Sequence, residues 1–334
     1  MAPGRTSLRS IERSRAITAL RCDPKDVDAM LRLGVALEHD EPIELPDGTT
    51  STKRNLYLNA VVLDPSNAMA NHNLATTLRP KEKLLLGDTT WDQKALYIRA
   101  LEINPSSALT FTNLAAVLGD GESATLADGI AYSVSALCLR ALEVDPRHAP
   151  AFAQLGALVG AASRSSGGEE RMKLPDGAEW SARELLFEAF RLDASIALVY
   201  VSLAQALSDE PANTLLMLPD YQKWSQQDLF VQAIHLDPGC PAAFSGLAGT
   251  LATHNDSVPL LDGTLITKRD LLIMARKLER WDHKAHDKLT RERWGPKFGL
   301  NGELWTPCAA EVLPAVRRAS SIERFKPIRR VPAL

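Results

Sequence analysis

The chain has 334 residues, of which 45% are hydrophobic, and a formal net charge of −3. This apolar share can build a continuous core, and the slight negative charge gives no reason to expect a nucleic-acid partner. No apolar run approaches the roughly 18 residues of a membrane span, so we expect no membrane partner either.

The N-terminal segment is basic: residues 1–21 hold five arginines and one glutamate. An Arg- and Ser-rich start is superficially similar to an organelle-targeting peptide. Its second half, however, aligns with the repeat described below, which favours a structural role. The four cysteines are far apart and form no CxxC pair, which indicates a reducing compartment. We therefore expect a cytoplasmic protein, with organelle targeting as the weaker alternative.

One sequence pattern recurs six times. We number each copy from an Asp or Asn that precedes a proline in five of the six copies. Alanine always lies at −4, leucine at +10, and glycine or alanine at +11. The six origins are Asp23, Asp64, Asn104, Asp145, Asp193 and Asp237. Self-similarity at a nearly fixed period indicates a repeat protein, in which length does not limit the number of units.

Each copy reads as a first helix, a turn and a second helix. The stretch "IELPDGTT" at residues 43–50 alternates apolar and polar residues around Asp-Gly, a strong hairpin signal. The turns of the second, third and fifth copies carry weaker signals, so the sequence leaves open whether every insert is a paired hairpin. The periods of 41, 40, 41, 48 and 44 residues differ mainly just before this turn. We expect a surface loop there, because loops tolerate insertion.

The second helix of each repeat has a start signal. Eight residues before each recurrent alanine lies a Ser, Thr or Asp that can accept hydrogen bonds from a helix start: Thr52, Asp92, Ser133, Ser181, Ser225 and Thr267. Ser181 and Glu184 together predict a capping box. The small residues at +11 and −4 predict that the two helices of a repeat approach each other closely.

These motifs resemble the tetratricopeptide repeat (TPR) family. "NHNLATTL" (71–78) and "TNLAAVL" (112–118) are similar to its first-helix signature, and "LYLNAVVLDP" (56–65) is similar to its second-helix signature. The family period is 34 residues, so the longer period here adds a hairpin-like insertion to each repeat. The resemblance implies an all-α fold, a right-handed α-solenoid of TPR-like helix pairs with short β-hairpin inserts along one edge.

The domain prediction follows from the repeat. Residues 1–294 form the solenoid, with six helix pairs and a terminal half-repeat whose helix continues to about Arg293 as a cap. Residues 295–334 carry seven Lys or Arg against three Glu and contain five prolines. We expect this tail to be disordered or laid on the body. Ser320 in "RRAS" is a candidate phosphorylation site.

The resemblance also implies a binding surface, because positions +8, +9 and +12 of the first helices face the groove of the solenoid. The predicted partner-binding residues are His72, Asn73, Thr76, Thr112, Asn113, Gln154 and Gln205. In some family members an asparagine at +9 bonds the main chain of an extended peptide, and an amide offers both a donor and an acceptor. The alternative is that these amides only solvate the groove or bond between repeats.

The sequence contains no phosphate-binding loop, GxSxG or HExxH motif, and His283 and His286 have no further histidine or cysteine nearby in sequence. We therefore predict no enzyme activity, cofactor, metal or small-molecule substrate. The expected function is a non-catalytic scaffold or adaptor that holds a protein or peptide in its concave groove or along its hairpin edge. The alternative is a structural subunit of a large assembly, attached through its basic C-terminal tail.

Overall fold

The computed structural model describes residues 4–38, 41–119, 121–210 and 214–279. Helices dominate this part of the chain. They are α1 (Gly4–Cys22), α2 (Val27–Ala36), α3 (Lys53–Leu63), α4 (Ala68–Thr76), α5 (Gln93–Ile103), α6 (Ala108–Val117), α7 (Val134–Val144), α8 (Ala149–Ser166), α9 (Ala182–Leu192), α10 (Ala197–Ala206), α11 (Gln226–Leu236), α12 (Pro241–Gly249) and α13 (Lys268–Glu279).

Short strand pairs lie between the two helices of each repeat. They are β1 (Ile43–Glu44) with β2 (Thr50–Ser51), β3 (Leu84–Leu86) with β4 (Thr89–Trp91), β5 (Ala124–Thr125) with β6 (Ala131–Tyr132), β7 (Arg171–Lys173) with β8 (Glu179–Ser181), β9 (Leu216–Met217) with β10 (Lys223–Trp224), and β11 (Ser257–Pro259) with β12 (Leu265–Thr267). All six pairs are antiparallel. The point that the sequence left open is therefore resolved: every insert is a paired hairpin.

The chain divides into two compact units. Among the described residues, the first unit comprises 4–117 and 124–132, and the second comprises 118–123 and 133–279, apart from the gaps given above. Within each unit, helices that follow one another in the chain pack together: α1 to α6 in the first and α7 to α13 in the second. The prediction of helix pairs is confirmed.

Five of the hairpins have the same type of turn. In the first, the Gly48 amide donates to the Leu45 carbonyl, and Asp47 accepts from the Thr49 amide. Gly48 has φ +80°, a left-handed conformation that costs glycine little. Tyr221 occupies the equivalent position of the β9–β10 hairpin with φ +65°, where a side chain is strained. The β3–β4 hairpin differs, with a two-residue loop that begins at Gly87.

The predicted close approach of paired helices is also confirmed. A β-carbon added to Gly34 at +11 would lie 2.3 Å from the ring of Tyr57 on α3. At the same position of the fourth repeat, a β-carbon on Gly156 would lie 2.7 Å from Leu186 on α9. Ala189, the alanine at −4 on α9, is fully buried. Larger side chains at these positions would hold the helices apart.

The side chains of all six predicted caps accept hydrogen bonds from backbone amides at the start of the second helices. In the first, Thr52 accepts from the Asn55 amide, and in the last, Thr267 accepts from the Asp270 amide. Ser181 and Glu184 form the predicted capping box. A further contact joins the helices of a repeat: the side chain of the first residue of three second helices donates to a carbonyl at the end of the preceding first helix or just beyond it. These bonds run from Gln93 to Ala75, from Gln226 to Ala204 and from Lys268 to Leu251.

One expectation about the variable segment is wrong. The longest insertion, in the fourth repeat, is not a loop, because it lengthens α8 to 18 residues. Gly167 then ends the helix in a left-handed conformation, with φ +69°. The added stretch contains alanines and Arg164, which are good helix formers, so the extra residues continue the helix.

Aromatic residues attach two of the hairpins to the first helix of their own repeat. Trp180 on β8 stacks on Phe152 of α8, with ring centroids 5.7 Å apart. Trp224 on β10 lies 5.9 Å from Tyr200 of α10. Each pair buries aromatic surface between insert and helix, so these hairpins pack as part of the repeat.

The last described helix, α13, buries Leu271, Met274 and Leu278 at the predicted helical spacing. The predicted continuation of this helix to Arg293, the tail 295–334 and Ser320 all lie outside the described residues. Within the described part, no helix is long and apolar enough to span a membrane.

Candidate partner-binding site

The predicted site residues lie on the first helices of four repeats. In the first unit they are on α4 and α6, and in the second unit they are on α8 and α10. They differ in what surrounds them.

His72 is the centre of a buried polar cluster in the first unit. Its side chain is 6% exposed, and Nδ1 lies 2.9 Å from the hydroxyl of Thr110. The amide nitrogen of Asn113 lies 3.4 Å from Nε2. Burial lowers the pKa of His72 to about 4. The imidazole is therefore neutral at physiological pH.

Asn113 joins this cluster to Tyr97. The two side chains are hydrogen-bonded, and burial raises the pKa of the Tyr97 hydroxyl. The Tyr97 ring also packs edge-on against His72, with centroids 5.4 Å apart. The side-chain oxygen of Asn113 is buried and has no hydrogen-bond partner. The structure thus brings two predicted site residues together and leaves one acceptor unsatisfied.

Asn73 and Thr76 lie on the same helix, one turn apart. Asn73 is half-buried, and its amide nitrogen has no hydrogen-bond partner. Thr76 is exposed, and its hydroxyl donates to the Asn73 carbonyl at 2.7 Å. This is the part of the predicted site in the first unit that faces solvent.

Thr112 has a packing role. Its side chain is fully buried, and its hydroxyl donates to the carbonyls of Ala108 and Leu109 in its own helix. Back-bonding of this kind satisfies a buried hydroxyl within the helix. Thr112 therefore presents no group to solvent.

In the second unit, Gln154 is buried and its oxygen accepts from the thiol of Cys138 at 3.1 Å. Burial raises the pKa of that thiol. Gln205 is half-buried, and its oxygen accepts from the Arg164 guanidinium at 3.4 Å. Both amides thus form contacts inside the unit.

Ser202 was not predicted as a site residue. It occupies +9 of the fifth repeat, it is 5% exposed, and its hydroxyl has no hydrogen-bond partner. Among the described residues, five buried side-chain atoms lack a partner, and three of them belong to +9 residues: Asn73, Asn113 and Ser202. Its position at +9 could have identified Ser202, but a serine lacks the side-chain amide on which the prediction rested.

The hairpins expose apolar side chains. Tyr221 is 85% exposed at its strained turn position, and Leu215 and Met217 are more than half exposed on the same hairpin. In the first unit, Leu85 is 67% exposed on β3. Exposed apolar residues that lie together on one element are typical of contact surfaces.

Among the described residues, no group of three or more His, Cys, Asp or Glu side chains could hold a metal ion. The polar residues brought together at the predicted site are neutral amides, hydroxyls and an uncharged histidine, which donate and accept hydrogen bonds.

No protein-family model matches the chain, and no curated protein is similar to it. Among solved structures, the chain is similar to yeast Tom70, with 17% identity over 84% of this chain and a TM-score of 0.37. The chain spans about half, 51%, of the length of that protein.

Proposed function

We propose that this protein is a non-catalytic, cytoplasmic scaffold that binds an extended segment of a partner protein along the first helices of its repeats. In this proposal the helix pairs of residues 1–294 form a right-handed α-solenoid of divergent TPR type, followed by the tail 295–334. The partner is a protein or peptide, with no cofactor or small-molecule substrate.

The observation that supports this proposal is the pattern at +9. A buried polar atom without a partner costs about 1–3 kcal/mol. In the first unit, Asn73 keeps an unsatisfied donor and Asn113 an unsatisfied acceptor, one repeat apart. A sequence selected for stability alone would place apolar residues here, as it does at the neighbouring Leu74 and Leu114.

The chemistry of an extended peptide is complementary to Asn73. Each peptide unit offers one N–H donor and one C=O acceptor. The Asn73 amide, which is half-buried, can turn to donate to a partner carbonyl, whereas Asn113 stays inside its cluster with His72 and Tyr97. Recognition through the main chain would let the surface hold segments of different sequence.

A point variant tests this proposal in the full-length chain. Asn73→Ala removes an unsatisfied donor, so the unfolding midpoint should be unchanged or raised. The proposal predicts that the amount of partner captured from the cell of origin falls about tenfold, the equivalent of one lost hydrogen bond of about 1.4 kcal/mol. Asn59→Ala, an exposed residue on the second helix α3, is the matched control and should retain capture. Equal capture of the partner by both variants would refute binding at the +9 position of the first helices.

The hairpin edge is a second candidate surface, which Tyr221 favours. A strained residue persists only where something outweighs its cost, and such residues concentrate at functional sites. Here an exposed aromatic ring occupies a position that glycine fills in the other four hairpins with this turn. If Asn73→Ala retains the partner and Tyr221→Gly loses it, the hairpin edge binds the partner.

A further inference from the structure

The second unit contains a small cleft between α8, α9 and α10. Its volume is about 30 Å³, and its walls include Gly156, Gly160, Arg164, Arg183 and Ser202. Most of the wall is aliphatic, with Leu203 and Leu216 among its residues. The cleft lies beside the unsatisfied +9 position of the fifth repeat.

The extension of α8 creates this cleft. Gly160 and Arg164 belong to the part of α8 that exceeds the nine or ten residues of the other first helices. The guanidinium folds back over the helix: a β-carbon on Gly160 would lie 3.6 Å from Nη1 of Arg164 and 3.5 Å from the β-carbon of Ala182. Gly160 therefore leaves room beneath a positive charge.

Ser202 contributes a polar group to the wall. It is 5% exposed, and its hydroxyl is unsatisfied although it can both donate and accept. A buried hydroxyl without a partner is rare in a native protein. A ligand in the cleft that offers one polar atom would satisfy it.

The charges at the cleft are positive. Arg164 and Arg183 both line it. Beside them, the N-terminus of α9 is already capped by Ser181 and Glu184, so the two guanidinium groups supply the attraction for an anionic ligand. A carboxylate matches the planar guanidinium.

We propose that this cleft recognises a small aliphatic side chain of the partner together with an adjacent carboxylate. The aliphatic group fills the space above Gly160 and beside Leu203. The carboxylate binds Arg164 and Arg183, and Ser202 donates to it or to the adjoining main chain. A volume of about 30 Å³ exceeds the ~10–15 Å³ needed by one water-sized group, so two or three such groups fit and an aromatic ring does not. This inference rests on the proposed function, because it specifies what the bound segment contains.

Three short peptides serve as probes of the full-length protein. Acetyl-Val-Glu-amide carries a side-chain carboxylate, acetyl-Gly-Val carries a terminal carboxylate, and acetyl-Val-Gln-amide carries none. Leucine-methyl NMR spectra report binding at Leu203 and Leu216. We expect at least one carboxylate peptide to bind about tenfold more tightly than the glutamine peptide. The tighter of the two identifies the source of the carboxylate.

Two variants separate the parts of the cleft. Arg164→Gln should remove the preference for a carboxylate while leaving weak binding of the valine side chain. Gly160→Ala should abolish the methyl shifts, because the added methyl group occupies the cleft. Its new contacts, at 3.5 and 3.6 Å, are ordinary van der Waals distances, so the fold is retained and the unfolding midpoint checks this.

The inference would be overturned if neither carboxylate peptide bound more tightly than the glutamine peptide, if the shifts were unchanged in Gly160→Ala, or if no peptide produced shifts. These probes do not involve the natural partner. If they bind while Asn73→Ala retains partner capture, the cleft stands and first-helix binding in the first unit fails. If the peptides do not bind while Asn73→Ala loses the partner, first-helix binding in the first unit stands and the cleft inference fails.

Discussion

The two units place the same register position in different surroundings. In the first unit, the +9 residue Asn113 lies in a closed cluster with His72 and Tyr97, and only Asn73 approaches solvent. In the second unit, the +9 residue Ser202 lies in the wall of an open cleft. One repeat pattern therefore supports a buried polar cluster in one place and a small cleft in another.

The length of a single helix accounts for this difference. α8 has 18 residues, whereas α4 and α6 have nine and ten. The extra turns bring Gly160 and Arg164 alongside α9, and they add a charged recess without changing the packing beneath it. An insertion between the two helices of a repeat can thus create a new site while the helix pair is preserved.

The largest predicted effect concerns the closed cluster of the first unit. The folded-state pKa of His72 is about 4, below the ordinary value of 6.5. Its contribution to stability is therefore fully present above pH 6.5 and is lost as the pH falls towards 4. The loss amounts to about 3 kcal/mol, because one pKa unit corresponds to about 1.4 kcal/mol.

Urea unfolding of wild type and His72→Asn at pH 7 and pH 4 measures this effect. Asparagine keeps a polar atom near Thr110 but does not titrate, so the drop in stability between the two pH values should be about 3 kcal/mol smaller in the variant. Carboxylates titrate in both proteins and cancel in the difference. The same pH dependence in both proteins would mean that His72 is not held neutral by burial.

The second prediction compares two glycines, one turn apart on α8. Gly156→Ala forces a β-carbon to within 2.7 Å of Leu186, and we expect a net loss of about 1–2 kcal/mol after the gain in helix propensity. Gly160→Ala meets no close contact and should gain about 0.5–1 kcal/mol. Urea unfolding of both variants at pH 7 gives the difference. Equal changes would indicate that α8 and α9 are not packed as described.

The smallest predicted effect concerns the hairpin of the second unit. Tyr221→Gly relieves a left-handed conformation that costs a side chain about 1 kcal/mol, but it also gives the unfolded chain more freedom. We expect a net gain of at most about 1 kcal/mol. Gly263→Ala, at the equivalent turn position of the next hairpin, should lose a similar amount. A destabilised Tyr221→Gly variant would show that the tyrosine ring supports the fold.

Much of the fold follows from the sequence because the repeat amplifies weak local signals. A single Ser or Thr is a poor indication of a helix start, but six at one spacing, from Thr52 to Thr267, predicted six helix starts. Likewise, glycine at +11 predicted a close contact that the Tyr57 ring fills. The hairpin at Gly87 was harder to predict because its turn lacks the Pro-Asp-Gly pattern, although a two-residue loop starting with glycine is equally compatible with pairing.

The site was less predictable, because register gives a residue its place on a helix but not its neighbours. Nothing in the sequence indicates that Asn113 bonds His72 or that Gln154 bonds Cys138, since those contacts depend on how adjacent helices pack. The length of α8 was misread for the same reason: an insertion has equal length whether it forms a loop or a helix. Binding by the predicted residues stays a prediction.

Site-specific photocrosslinking in the cell of origin tests the central claim most directly. A photoreactive amino acid replaces Thr76, which is exposed at +12 of a first helix, or Val62, which is 64% exposed on the second helix α3 of the same unit. We predict a discrete covalent adduct with one partner at residue 76 and none at residue 62. No adduct at residue 76, or the same adduct at both positions, would contradict the assignment of the binding surface to the first helices.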